Sequence, residues 1–129
     1  MKKQMAAAVA GGVMLVGLGA LPAQAENSRT SYISWWLPGK ESKRWYDNSS
    51  DTWSTAVVLH NCETGTRFNW VSLSLWRDIS AAPDRSYGAK KNYCGRSDWG
   101  DVAAGSYYFK VDDFRDGEAF KAEPVYIYW

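Results

Sequence analysis

The chain has 129 residues, with 15 basic side chains against 14 acidic ones and a single histidine. Such a balance lacks the basic excess that nucleic acid or anionic lipid binding would require, and the length holds one domain. All 8 Trp, 8 Tyr and 4 Phe follow residue 25. Each buried ring covers about 150–250 Å², so a domain of this size has more rings than its core needs, and some are expected at the surface.

Residues 1–25 begin with Lys2 and Lys3, continue as an apolar run from Ala6 to Leu21, and finish on Ala23-Gln24-Ala25. That order of charge, apolar run and small residues predicts a secretory signal peptide cleaved after Ala25. A membrane anchor would need about 20 apolar residues, and this run is shorter and glycine-rich. The expected product is a secreted single domain over residues 26–129. Lys2 and Lys3 leave with the signal, so 13 basic residues then face 14 acidic ones.

The segment 26–37 opens polar, with Arg29 inside it, and then becomes "SYISWWL". Period-two alternation predicts a strand in which Ile33, Trp35 and Leu37 face the core while Tyr32, Ser34 and Trp36 face away. Pro38-Gly39 ends it. "TWSTAVVLHNC" reads as a second strand. "TRFNWVSLSLW" reads as a third, with Val71, Leu73 and Leu75 opposite Phe68, Trp70, Ser72, Ser74 and Trp76. Residues 79–101 are poor in apolar side chains and are expected to form a long loop with room for one short strand. "SYYFKVDDF" sets Tyr107, Phe109 and Val111 against Tyr108, Lys110 and Asp112, and "VYIYW" sets Val125, Ile127 and Trp129 against Tyr126 and Tyr128. Turn signals at Thr64-Gly65, Ala104-Gly105 and Asp116-Gly117 space these runs as an all-β domain does, and the last should close a hairpin. The expected fold is a small antiparallel β-sandwich or partly open barrel.

Cys62 and Cys94 are the only cysteines, and in a secreted chain they are expected to form a disulfide. Closing a loop of that length is worth about 3–4 kcal/mol by chain entropy. Nothing resembles a hydrolase elbow, a zinc motif or a phosphate-binding loop, so no enzyme, cofactor or metal site is expected. His60 reads as a strand-edge residue. "VDDFRDGEAF" concentrates Asp112, Asp113, Asp116 and Glu118, but Phe114 interrupts the alternate oxygen ligands that an EF-hand loop requires.

The remaining signal is aromatic. Trp36, Trp70, Trp76, Tyr32 and Tyr108 fall on the faces opposite the core, and with Arg29 they form the combination used at protein–protein hot spots. A carbohydrate-binding module stacking sugars on Trp36, Trp70 and Trp76 is the alternative, and a small secreted hydrolase inhibitor is a third. In the leading reading, residues 26–37 are the partner element, able to pair with a partner's sheet edge or to place Arg29 in an acidic or protease-like cleft.

The signal peptide, the β-rich hundred residues, the single cysteine pair, "WGDVAAGSYYFKV" and "VYIYW" together look like small secreted proteins of Gram-positive actinobacteria. Among these the chain is similar to the small adaptor subunit of umbrella-shaped antibacterial toxin particles. The resemblance implies a non-enzymatic adaptor joining a lectin-bearing subunit to a long toxin subunit, partly through its N-terminal segment. The aromatic end also resembles lactococcin-type bacteriocins, from which Cys62, Cys94 and the greater length depart. "DVAAGSYYF" resembles the tyrosine corner of β-sandwiches, with Gly105 and Tyr107 matching.

Overall fold

The structure, a computed structural model, describes residues 27–129, so the expected signal peptide lies outside the described residues. Eight strands follow one another: β1 (Ser28–Trp36), β2 (Trp45–Asp47), β3 (Ala56–Leu59), β4 (Val71–Asp78), β5 (Arg85–Asn92), β6 (Arg96–Asp98), β7 (Gly105–Phe114) and β8 (Phe120–Tyr128). No helix occurs among the described residues. The strands form two antiparallel sheets, ordered β1-β8-β3-β6 and β2-β7-β4-β5, which is the expected sandwich.

Alternation decides which side chains lie between the sheets. Val57 and Leu59 on β3, Val71, Leu73 and Leu75 on β4, Tyr107, Phe109 and Val111 on β7, and Val125 and Ile127 on β8 are buried in one cluster, joined by Trp129. Each such aliphatic side chain contributes roughly 1.5–3 kcal/mol on leaving water. The tyrosine corner is present: the Tyr107 hydroxyl donates to the Ala103 carbonyl oxygen at 2.5 Å, fixing the loop that delivers β7.

Four local features differ from or add to the expectations. Residues 79–101 hold two strands, β5 and β6, in place of a long loop. Their apolar content is low because each is the edge of its sheet, where one flank faces solvent and Lys90 and Lys91 discourage further pairing. β2 also went unpredicted, being only three residues long. Asp116 and Gly117 have φ of 59° and 94°, the positive pair a type I′ turn demands; yet β7 and β8 belong to different sheets, so this turn crosses the sandwich and closes no hairpin.

The fourth correction concerns the paired tryptophans. Ile33 pairs with Ala122 and Trp36 with Phe120, so two residues of β1, Ser34 and Trp35, oppose the single Lys121. This one-residue bulge reverses the facing of everything after it. Trp35 (46% exposed) and Leu37 (64%) point outward instead of into the core, and Trp36 turns in against Phe109, ring centroids 5.9 Å apart. Trp35 adopts φ of 53°, a conformation that costs an L-residue about 1–2 kcal/mol.

The two lateral seams of the sandwich differ. On one, Cys62 and Cys94 are joined by the expected disulfide, buried Asn92 donates to Ser97 Oγ and the Gly95 carbonyl, both at 2.9 Å, and Trp99 Nε1 donates to the Gly88 carbonyl at 2.9 Å. The hydrogen bonds join β5 to β6 and its flanks, and the disulfide ties their connection to the segment after β3. On the other seam, β1 is the edge of one sheet and residues 39–47 are the edge of the other, since Gly39, Lys40 and Ser42 exchange backbone bonds with Val111 and Phe109 ahead of β2. Among the described residues, no strand bridges that gap.

Candidate functional site

The open seam forms a cleft of about 660 Å³, walled by Arg29–Tyr32 and Trp36 of β1 and by Lys40–Arg44 opposite. Its second wall is set by a turn over Leu37–Lys40, in which Pro38 presets φ and Gly39 supplies φ of 96°; the Lys40 N–H donates to the Leu37 carbonyl at 3.2 Å. Pro at the second position and a positive-φ Gly at the third specify a type II turn. The chain therefore leaves β1, reverses and runs back along the edge of the opposite sheet.

The free edge of β1 can be read from its pairing. Asn27 and Trp129 exchange two backbone bonds of 2.8 and 3.0 Å, which makes them a hydrogen-bonded antiparallel pair. Antiparallel pairs alternate, so Ser28 (opposite Tyr128) and Thr30 (opposite Tyr126) aim their N–H and C=O groups away from β8. Among the described residues nothing pairs with these ladder positions.

Charge in the cleft is mainly positive: Arg29, Lys40, Lys43 and Arg44 against Glu41. Arg29 Nη1 donates across the gap to the Arg44 carbonyl at 3.0 Å. Arg44 in turn binds Asp78 (3.0 Å) and Glu41 (3.1 Å) and stacks 3.8 Å above the Tyr108 ring. Burial works against that guanidinium's charge, but hydrogen bonds to Asp78 and Glu41 outweigh it and raise the pKa above its ordinary value. Lys40 stands 5.8 Å from the centroid of the Trp36 ring.

Three expected site residues, Arg29, Tyr32 and Trp36, thus meet in one cleft. The others lie apart, on the outer face of the second sheet. Trp76 pairs directly with Tyr108 across β4 and β7, and Trp70 precedes β4. Tyr108 is corrected from a surface residue to a buried one, 3% exposed, because Arg44 covers its ring and its hydroxyl donates to Asp84. Lysines overlie the two tryptophans: Lys91 lies 4.5 Å from the Trp70 ring and Lys110 lies 4.3 Å from that of Trp76. Trp76 Nε1 donates to Ser74 Oγ, which donates to Asp112 Oδ1. A sugar stacking there would have to displace cations already within cation–π range.

Lys40, Lys43 and Arg44 escaped sequence reasoning because they precede a strand too short to detect. The Pro38-Gly39 turn was the available signal that the chain doubles back toward β1. Among the described residues, no three His, Cys, Asp or Glu side chains converge as a metal site would need, and no helix is long and apolar enough to cross a membrane. Comparison with family models, curated proteins and solved structures returns no match.

Proposed function

We propose that this is a secreted, non-catalytic interaction module that takes an extended segment of a partner protein into the open seam. The observation that carries the reading is the free edge of β1, whose Ser28 and Thr30 backbone groups aim away from β8, Thr30 beside a cleft lined by Arg29, Tyr32 and Trp36. A strand added there would pair with β1, and the basic lining suits an acidic segment. The resemblance to toxin-particle adaptors supports placing the partner in a secreted complex with a larger toxin and a lectin subunit.

Deleting residues 26–34 would remove most of β1 and its ladder with β8, so it tests folding more than binding. Thr30→Pro is the cleaner probe: it removes one outward N–H and leaves the β8 ladder intact, as prolines at sheet edges do. Partners recovered from culture supernatant by the unaltered protein should be lost with Thr30→Pro and depleted with the Lys40→Glu, Lys43→Glu pair. Recovery of the same proteins in the same yield by both variants would overturn the proposal.

A further inference from the structure

Trp35 is a tryptophan where the backbone favours glycine. A one-residue bulge that holds its extra residue at positive φ ordinarily selects glycine, yet here the bulkiest side chain adopts φ of 53° and is turned outward. Bulky residues held in this region are outliers that cluster at functional sites.

The exposed indole lines a second cleft of about 330 Å³, together with Thr64, Gly65, Thr66, Gly117, Glu118 and Ala119. This cleft shares no residue with the open seam. Two tight turns make its walls, and both are fixed. Glu63 and Lys121 exchange backbone bonds of 2.8 Å in each direction, tying the first turn to β8 beside the Cys62–Cys94 bridge. Gly117 packs so closely on Thr64 that a Cβ at that position would come within 2.0 Å of the Thr64 carbonyl oxygen. The indole is also less covered than its counterparts, with Lys121 5.9 Å away, the limit of useful cation–π range.

The lining decides the ligand class. Apart from the indole, Ala119 is its only apolar side chain, so an aliphatic partner would find little to bury against. A flat ring beside a hydroxyl at Thr66, a carboxylate at Glu118 and the bare backbone of Gly65 matches a molecule with one apolar face and several hydroxyls around its rim. The carboxylate disfavours an anion. We propose that this cleft binds a neutral pyranose unit of a glycan, with the sugar's C–H face on Trp35 and its hydroxyls paired to Glu118 and Thr66. The site does not depend on the partner-binding seam.

The test titrates cellotriose, chitotriose, maltotriose and mannotriose into ¹⁵N-labelled protein. It follows the Trp35 indole N–H, identified as the signal, among those of 8 tryptophans, that is missing from Trp35→Gly. At least one trisaccharide at up to about 10 mM should shift that signal saturably, in the weak range usual for a single shallow contact. Glu118→Ala should weaken the binding by roughly fivefold or more, and Trp35→Gly, followed through the backbone amides of Gly65, Thr66 and Glu118, should abolish it while melting no lower than the unaltered protein, since glycine fits the backbone there. No shift with any of the sugars, or a shift untouched by Glu118→Ala, would overturn the proposal. So would a large fall in melting temperature for Trp35→Gly, because it would make the indole a packing residue.

Discussion

The Tyr108 hydroxyl donates to Asp84 Oδ2 at 2.5 Å, joining the middle of β7 to the loop ahead of β5. That bond, then the Ile79 N–H donated to Asp84 Oδ1 at 3.0 Å, hold the Asp84 carboxyl below its ordinary pKa, and the nearby Arg44 and Lys110 charges act in the same direction. Burial first, then the bond to Asp84, push the Tyr108 phenol above its ordinary value. The signs follow by linkage. Asp84 contributes stability above about pH 4, lost as pH falls through its lowered pKa; Tyr108 contributes below about pH 10, lost as pH rises through its raised one. In Tyr108→Phe, the Asp84 carboxyl ¹³C titration should move up, stopping short of the ordinary aspartate value because the Ile79 N–H still donates. An unmoved midpoint would show that the hydroxyl does not hold the carboxylate.

Reducing the Cys62–Cys94 bridge releases a loop with a sequence separation of 32. The expected loss is about 3–4 kcal/mol by chain entropy, measured by urea unfolding of Cys62→Ser, Cys94→Ser against the oxidised protein. The β5–β6 seam should lose amide-exchange protection before the β1–β8 ladder does, because the bridge closes only that side.

Two glycines with similar backbone angles should respond differently to alanine. Gly65, at φ of 84°, has no atom beyond its chain neighbours within 4 Å of where a Cβ would lie, whereas Gly117, at φ of 94°, would bring its Cβ against the Thr64 backbone. Gly65→Ala should cost about 1 kcal/mol, the backbone penalty alone. Gly117→Ala should cost clearly more and should also disturb the Trp35 cleft. Thermal melts of the two single variants make the comparison.

The paired tryptophans offer a similar contrast. Trp36 is half-buried against Phe109, so Trp36→Ala should destabilise by about 2–3 kcal/mol, somewhat below the 3–5 of a fully buried ring. Trp35→Ala removes an exposed ring and should change stability by less than about 1 kcal/mol. Equal losses in chemical denaturation would contradict the bulge.

Alternation alone located the core: Val71, Leu73 and Leu75, Tyr107, Phe109 and Val111, and Val125 and Ile127 all lie where period two puts them. It failed wherever a physical constraint other than burial governed the strand. β5 is polar because it is an edge; β2 is too short for any period to register; and Trp35 faces outward because one extra residue shifts the pleat, which hydrophobicity cannot reveal. The same bulge brought Trp36 to the seam with Arg29 and Tyr32. The cations facing them depend on where the Pro38-Gly39 turn sends the chain, a tertiary matter that local sequence leaves open.

Asn27 and Trp129 are bonded to each other at one end of the β1–β8 ladder, and that arrangement has a mechanical meaning. Tension applied between those two residues would open the ladder rung by rung, as a zipper does, loading one pair of hydrogen bonds at a time. The Cys62–Cys94 bridge lies outside that path and would carry none of the force until β1 had peeled away.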